Sequence, residues 1–194
     1  MPNDNTPKLD NEGQFNRCLG QTLSWWNHVE DSLGDVFCAL FGGVNNLAAR
    51  GSYLAVINFN ARLQMVDAAA QASGLPEEMF ATWRNLRNQA NKKADIRNKL
   101  THFSRFRSTT AKGEPAIFLL PNMWTGDEWA KALEGKGPRY AWPEIFKFGQ
   151  EFGQLAIKLG QLSREIEKHR QAHPLEFPPS AHDPYRGSDT PSEP

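Results

Sequence analysis

Cysteine is almost missing from this chain: among 194 residues only Cys18 and Cys38 are present. Both fall in one expected helix, and no CxxC pair or Cys/His ligand set accompanies them. Neither a disulfide framework nor a zinc site is indicated. Net charge is missing too, with 22 Lys and Arg set against 22 Asp and Glu. Any electrostatic function must therefore come from local clustering. Long apolar runs are absent: a stretch such as VFCALF is far too short to span a bilayer. The first residues, MPNDNTPKLDNEGQ, lack the basic-then-apolar order of a secretion signal. There is no GxGxxG, Walker loop or GxSxG, and GGVNN and EGKG read as turns. His28 with Asp31, and Glu165 with His169, are only fragments of the paired Glu-x-x-His elements of a di-iron bundle. The expectation is a cytoplasmic protein with no membrane association, no metal and no other cofactor.

What is present is helical patterning. Residues 1–12 read as a disordered N-terminus. A first helix is expected from about Phe15 to Phe41, with Trp26, Val29, Leu33, Val36 and Leu40 on one face. Asn45 or Asn46 can cap a second helix from about Leu47 to Ala72. Leu54, Ala61, Met65, Ala68 and Ala72 are its expected buried side. Pro76 suits the first turn of a third helix running to about Phe103, with Met79, Trp83, Leu86, Ala90 and Leu100 inward. Residues 104–142 form an irregular insertion, in which AIFLLP reads as an extended arm and TGDEWAKALEGKG as one short helix. Pro143 opens a long last helix with the seam Ile145, Phe148, Phe152, Leu155, Leu159, Leu162 and Ile166. Residues 173–194 are a Pro-rich tail expected to be disordered. The expected fold is all-α: an antiparallel up-and-down bundle of four long helices in one domain, residues 13–172, with the insertion before the last helix.

Two further patterns need explaining. Arg84, Asn88, Asn91, Asp95, Asn98, His102 and Arg105 recur at intervals of four and three and form a polar stripe on the third helix. The four asparagines 85, 88, 91 and 98 are poor helix formers. The same region is basic, holding Arg84, Arg87, Lys92, Lys93, Arg97, Lys99, Arg105 and Arg107 against Asp95 alone. Trp83, Phe103 and Phe106 flank it, and aromatic faces beside guanidinium groups suit unpaired bases. A solvated basic face over a buried aromatic core accounts for the same residues. On the last helix, Gly149, Gly153, Ala156 and Gly160 share a face. Such a surface suits close approach of another backbone, either an intrachain neighbour or a second subunit.

The stretch RNKLTHF, residues 97–103, carries a chemical possibility. Asn98 and His102 are four apart and share a helix face, whereas Arg97 lies roughly 140° around the axis from His102. Imidazole can take and return a proton at neutral pH. Arginine offers a permanently charged fork for phosphate oxygens, and the Asn98 amide can orient the histidine or a hydroxyl. Glu30 could face this helix, although a solvated glutamate is the plainer reading.

RNKLTHF resembles the Arg-x4-6-His signature of the HEPN superfamily, the higher eukaryotes and prokaryotes nucleotide-binding domains. In that family a polar residue often follows the arginine, as Asn98 does here. The resemblance implies a helical bundle with the motif on a later core helix. It also implies a metal-independent endoribonuclease acting on single-stranded RNA as a homodimer, in toxin–antitoxin or phage-defence systems, with an antitoxin or other protein partner. His102 would be base or acid, Arg97 the phosphate and transition-state group, and Asn98 a positioning group. RNA would be bound by Arg84, Arg87, Lys92, Lys93, Lys99, Arg105 and Arg107. Some toxin members carry a tyrosine two residues after the histidine; Ser104 stands there, so regulation through that tyrosine is not carried over. The alternative is a noncatalytic helical dimer serving as a protein-interaction or nucleotide-binding module. The discriminator is whether Arg97 and His102 line a shared basic cleft or stand apart.

Overall fold

The computed structural model describes residues 11–109, 113 and 115–174. The expected disorder of residues 1–10 and 175–194 lies outside them. Six α-helices are described: α1 (Asn11–Leu40), α2 (Leu47–Ala55), α3 (Phe59–Ala72), α4 (Glu77–His102), α5 (Asp127–Leu133) and α6 (Trp142–Ala172). Between α4 and α5 lies an antiparallel hairpin of β1 (Ser104–Thr109) and β2 (Pro115–Leu120), with Phe106 opposite Phe118. A single 3-10 turn, Met123–Thr125, follows it. The sequence marks the second arm of this hairpin and the short helix; the first arm carries no comparable signal.

The expected single helix over 47–72 is two helices. Asn58 is the reason: its side chain accepts from the Ala61 amide and caps a new helix. Asn46 caps α2 in the same way. Of the expected inward face only Met65 is packed against the core, and it is partly buried. Leu54 is exposed, as are Ala61, Ala68 and Ala72, whereas Leu63, Val66 and Ala70 are buried.

The break also reverses the chain. Arg50 pairs with Asp35, and the Tyr53 hydroxyl donates to the Glu30 carbonyl, so α2 runs back along α1. Phe59 then lies on Trp26, with ring centroids 4.9 Å apart, and α3 sets off again from that level. α4 descends antiparallel to α3, with Trp83 Nε1 donating to Asp67. α6 is antiparallel to α4, since Lys93 meets Glu151 while Thr82 and Asn85 lie level with Gln161 and Glu165. α6 is parallel to α1: Thr22 donates to the Ile145 carbonyl at 2.9 Å, Trp26 meets Phe152, and the Val44 amide reaches Glu167. The structure is therefore mostly helical, but it is not four long helices in antiparallel succession.

The core is one cluster joining these helices. Trp26, Leu33 and Val36 of α1, Trp83 of α4, and Ile145, Phe152 and Leu159 of α6 are almost wholly buried. Each such large apolar side chain contributes about 1.5–3 kcal/mol when removed from water. The α1–α6 interface is the most extensive of the helix pairs. The glycine seam belongs to it. A β-carbon on Gly149 would lie 2.7 Å from Thr22 Oγ1, and one on Gly153 would lie 1.7 Å from the Trp25 ring. These two glycines admit α1, not a second subunit. At Gly160, by contrast, an added β-carbon would meet, among the described residues, only the Arg164 guanidinium at 3.8 Å.

Candidate functional site

The site assembles where α1, the α2–α3 break and α4 meet. Glu30 is its centre. Trp26 Nε1, one turn earlier on α1, donates to Glu30 Oε1 at 2.6 Å. Arg62, on the first turns of α3, donates to Glu30 Oε2 at 2.9 Å. Arg62 also donates to the Val56 carbonyl at the break and lies over the Tyr53 ring. Arg97 Nη2 stands 3.8 Å from Glu30 Oε1, and its Nη1 donates to Asn98 Oδ1 at 3.2 Å. Glu30 is thus a partly buried, doubly paired carboxylate rather than the solvated one that the sequence favoured. Trp26 and Arg62 were not legible as site residues. The one available signal is the Trp26–Glu30 spacing of four on a helix.

Arg97 and Asn98 line a cleft of about 340 Å³ with Trp26, Glu30, Asn58 and Asn60. The Arg97 side chain keeps 35% of its surface exposed. The cleft adjoins a second one, of about 310 Å³, between α3 and α4. His102 is the last residue of α4 and is exposed. It does not line the Arg97 cleft. Arg97 and Asn98 are brought together; His102 stands a turn further on.

All seven residues of the polar stripe are exposed. The basic region, however, is largely paired with acids that lie outside it. Arg84 binds Glu77, Arg87 lies 3.3 Å from Asp67, Lys93 binds Glu151, and Arg105 and Arg107 both bind Glu12. Counting Asp95 alone therefore overstates the local positive field. Lys92 and Lys99 are exposed and, among the described residues, have no ion pair. The flanking aromatics are also engaged. Trp83 is fully buried, Phe103 stacks on Tyr140 and Phe106 meets the edge of Trp129. Trp83 offers no face to a base.

Among the described residues no group of three or more His, Cys, Asp or Glu is gathered to hold a metal. Nor is any helix long and apolar enough to cross a membrane. The class defined by fold and cleft is a mostly helical protein with a carboxylate-anchored arginine at the mouth of a polar cleft. Comparison with family models, curated proteins and solved structures gave no match.

Proposed function

We propose that the protein is a metal-independent endoribonuclease of HEPN type acting on single-stranded RNA. The observation that carries this reading is Arg97, which lines a cleft 3.8 Å from the Glu30 carboxylate with about a third of its side chain exposed. A phosphodiester seated there would have its developing charge met by a fixed cation that cannot lose its proton. Asn98 supplies a neighbouring amide, and His102 an exposed imidazole on the same helix face. The imidazole takes the proton of the ribose 2′-hydroxyl; the 2′-oxygen attacks the adjacent phosphorus; the bond to the 5′-oxygen breaks, and that oxygen is reprotonated. The products are a 2′,3′-cyclic phosphate and a 5′-hydroxyl. One histidine cannot be base and acid in the same step. A homodimer that brings two copies of the motif together supplies both, and it places the exposed His102 of each copy within a shared cleft.

The test is cleavage of single-stranded RNA by purified protein in EDTA, with the DNA of the same sequence left intact for want of a 2′-hydroxyl. His102→Ala and Arg97→Ala are each expected to lower the rate about a hundredfold or more. Equal cleavage by His102→Ala would mean another site or a contaminant. The separation of His102 from the Arg97 cleft and the internal pairing of Arg84, Arg87, Lys93, Arg105 and Arg107 favour a second reading, a noncatalytic module bound to a protein partner such as an antitoxin. No cleavage of any RNA, with saturable binding of such a partner, would select it.

A further inference from the structure

The Arg97 cleft and the cleft between α3 and α4 share a wall. Asn60 lines both, and the second is completed by Leu63, Gln64, Arg87, Asn88 and Asn91. Some amides around these clefts have work inside the fold: Asn58 caps α3 and Asn98 accepts from Arg97. Asn60, Gln64, Asn88 and Asn91 have none. They are exposed and, among the described residues, their side chains make no hydrogen bond. Asparagine inside a helix is unfavourable, and neither capping nor packing explains Asn88 and Asn91. Two come from α3 and two from α4, so four unengaged amides converge on one cleft from opposite walls.

We propose that this second cleft binds an unpaired adenine of the RNA strand whose phosphate lies at Arg97. A carboxamide presents a donor and an acceptor side by side, which matches the N6 donor and N7 acceptor edge of adenine. Asn91 and Asn98 are seven residues apart on α4, about two turns or roughly 10 Å. A strand seated at Arg97 can therefore run along the α3–α4 groove, past Asn60, into the second cleft. Lys92 is exposed beside Asn91, where it can meet a backbone phosphate. The assignment rests on the ribonuclease reading for its substrate, and it adds base choice to that reading.

The experiment is fluorescence anisotropy of the full chain with labelled oligoadenylate and oligouridylate of equal length at low salt, with unlabelled AMP as competitor. Cleavage of both RNAs by the same protein is followed in parallel. Oligoadenylate is expected to bind about tenfold tighter, the scale of one bidentate amide–adenine pair. Gln64→Ala and Asn91→Ala should each remove most of that preference while leaving oligouridylate binding unchanged. Both positions are exposed, so the variants should fold, and unchanged oligouridylate binding reports that they have. AMP competing as well as oligoadenylate at equal nucleotide concentration would make this a free-nucleotide site and overturn the strand assignment. Equal affinity for the two RNAs, with Arg97-dependent cleavage of both, would overturn the adenine cleft and leave the nuclease standing. Absence of binding and cleavage of either RNA would remove both.

Discussion

Glu30 and Arg97 face each other across the mouth of the cleft, with Oε1 and Nη2 3.8 Å apart, while Arg62 holds the other Glu30 oxygen at 2.9 Å. The longer distance exceeds a hydrogen bond. Trp26 and Arg62 therefore fix the carboxylate, and the carboxylate steers Arg97 by charge.

Glu30→Gln should separate these roles. Removing the charge weakens the hydrogen bond from Arg62 and should lower stability by about 1–3 kcal/mol in urea denaturation. Loss of steering at Arg97 should reduce RNA cleavage by about a hundredfold, the scale of a misplaced catalytic group. A variant with unchanged stability and unchanged cleavage would show that Glu30 organises nothing.

Gly149 and Gly160 should respond oppositely to alanine. At Gly149 the added methyl meets Thr22 at 2.7 Å, an overpacking that costs about 1–3 kcal/mol, offset by close to ~1 kcal/mol of helix propensity. At Gly160 the nearest atom is the Arg164 guanidinium at 3.8 Å, so alanine should stabilise by up to ~1 kcal/mol. Urea midpoints moving the same way in both variants would contradict the α1–α6 contact described here.

Tyr53 gives an alkaline limit. Burial pushes its phenol well above the ordinary value of 10.0, with the Arg62 charge opposing. The unfolded chain releases this proton first, so the contribution is fully present below pH 10 and is lost progressively as pH rises above it. Tyr53→Phe should flatten the decline in melting temperature above pH 10. An identical decline in both proteins would assign the loss elsewhere, with Tyr140, also raised by burial, the next candidate.

Glu12 should mask two cations. It pairs with both Arg105 and Arg107 of β1. Glu12→Gln should strengthen RNA binding and steepen its salt dependence by about 0.7 in log–log slope for each phosphate newly met. Folding stability should change by less than ~1 kcal/mol per exposed pair. An unchanged salt slope would place RNA away from the hairpin.

Helix periodicity reported most of the core, because inward positions at three and four are a one-dimensional signal: Trp26, Leu33, Phe152 and Leu159 sit where the spacing puts them. It failed between Leu47 and Ala72, where the apolar residues continue through a break that a single capping side chain, Asn58, decides. The cleft was half legible. Arg97 and Asn98 are neighbours in sequence, but Glu30, Arg62 and Trp26 join them through tertiary contacts. The same blindness inflated the basic stripe, since Glu12, Asp67 and Glu151 lie well away from the cations they neutralise.

The parallel pairing of α1 with α6 has a consequence for how the protein comes into being. Thr22 and Ile145 are bonded across 123 residues. At a synthesis rate of about 5–20 residues per second, α1 waits on the order of 6–25 s for its principal neighbour. During that interval the seam of Trp26, Val29, Leu33 and Val36 lacks α6 and has only the earlier-made α2, α3 and α4 to cover it. Contacts so distant along the chain also slow the final closure. Closure of the core thus waits on α6, whose glycine-lined face must meet Thr22 and Trp25 before the α1 seam is fully covered.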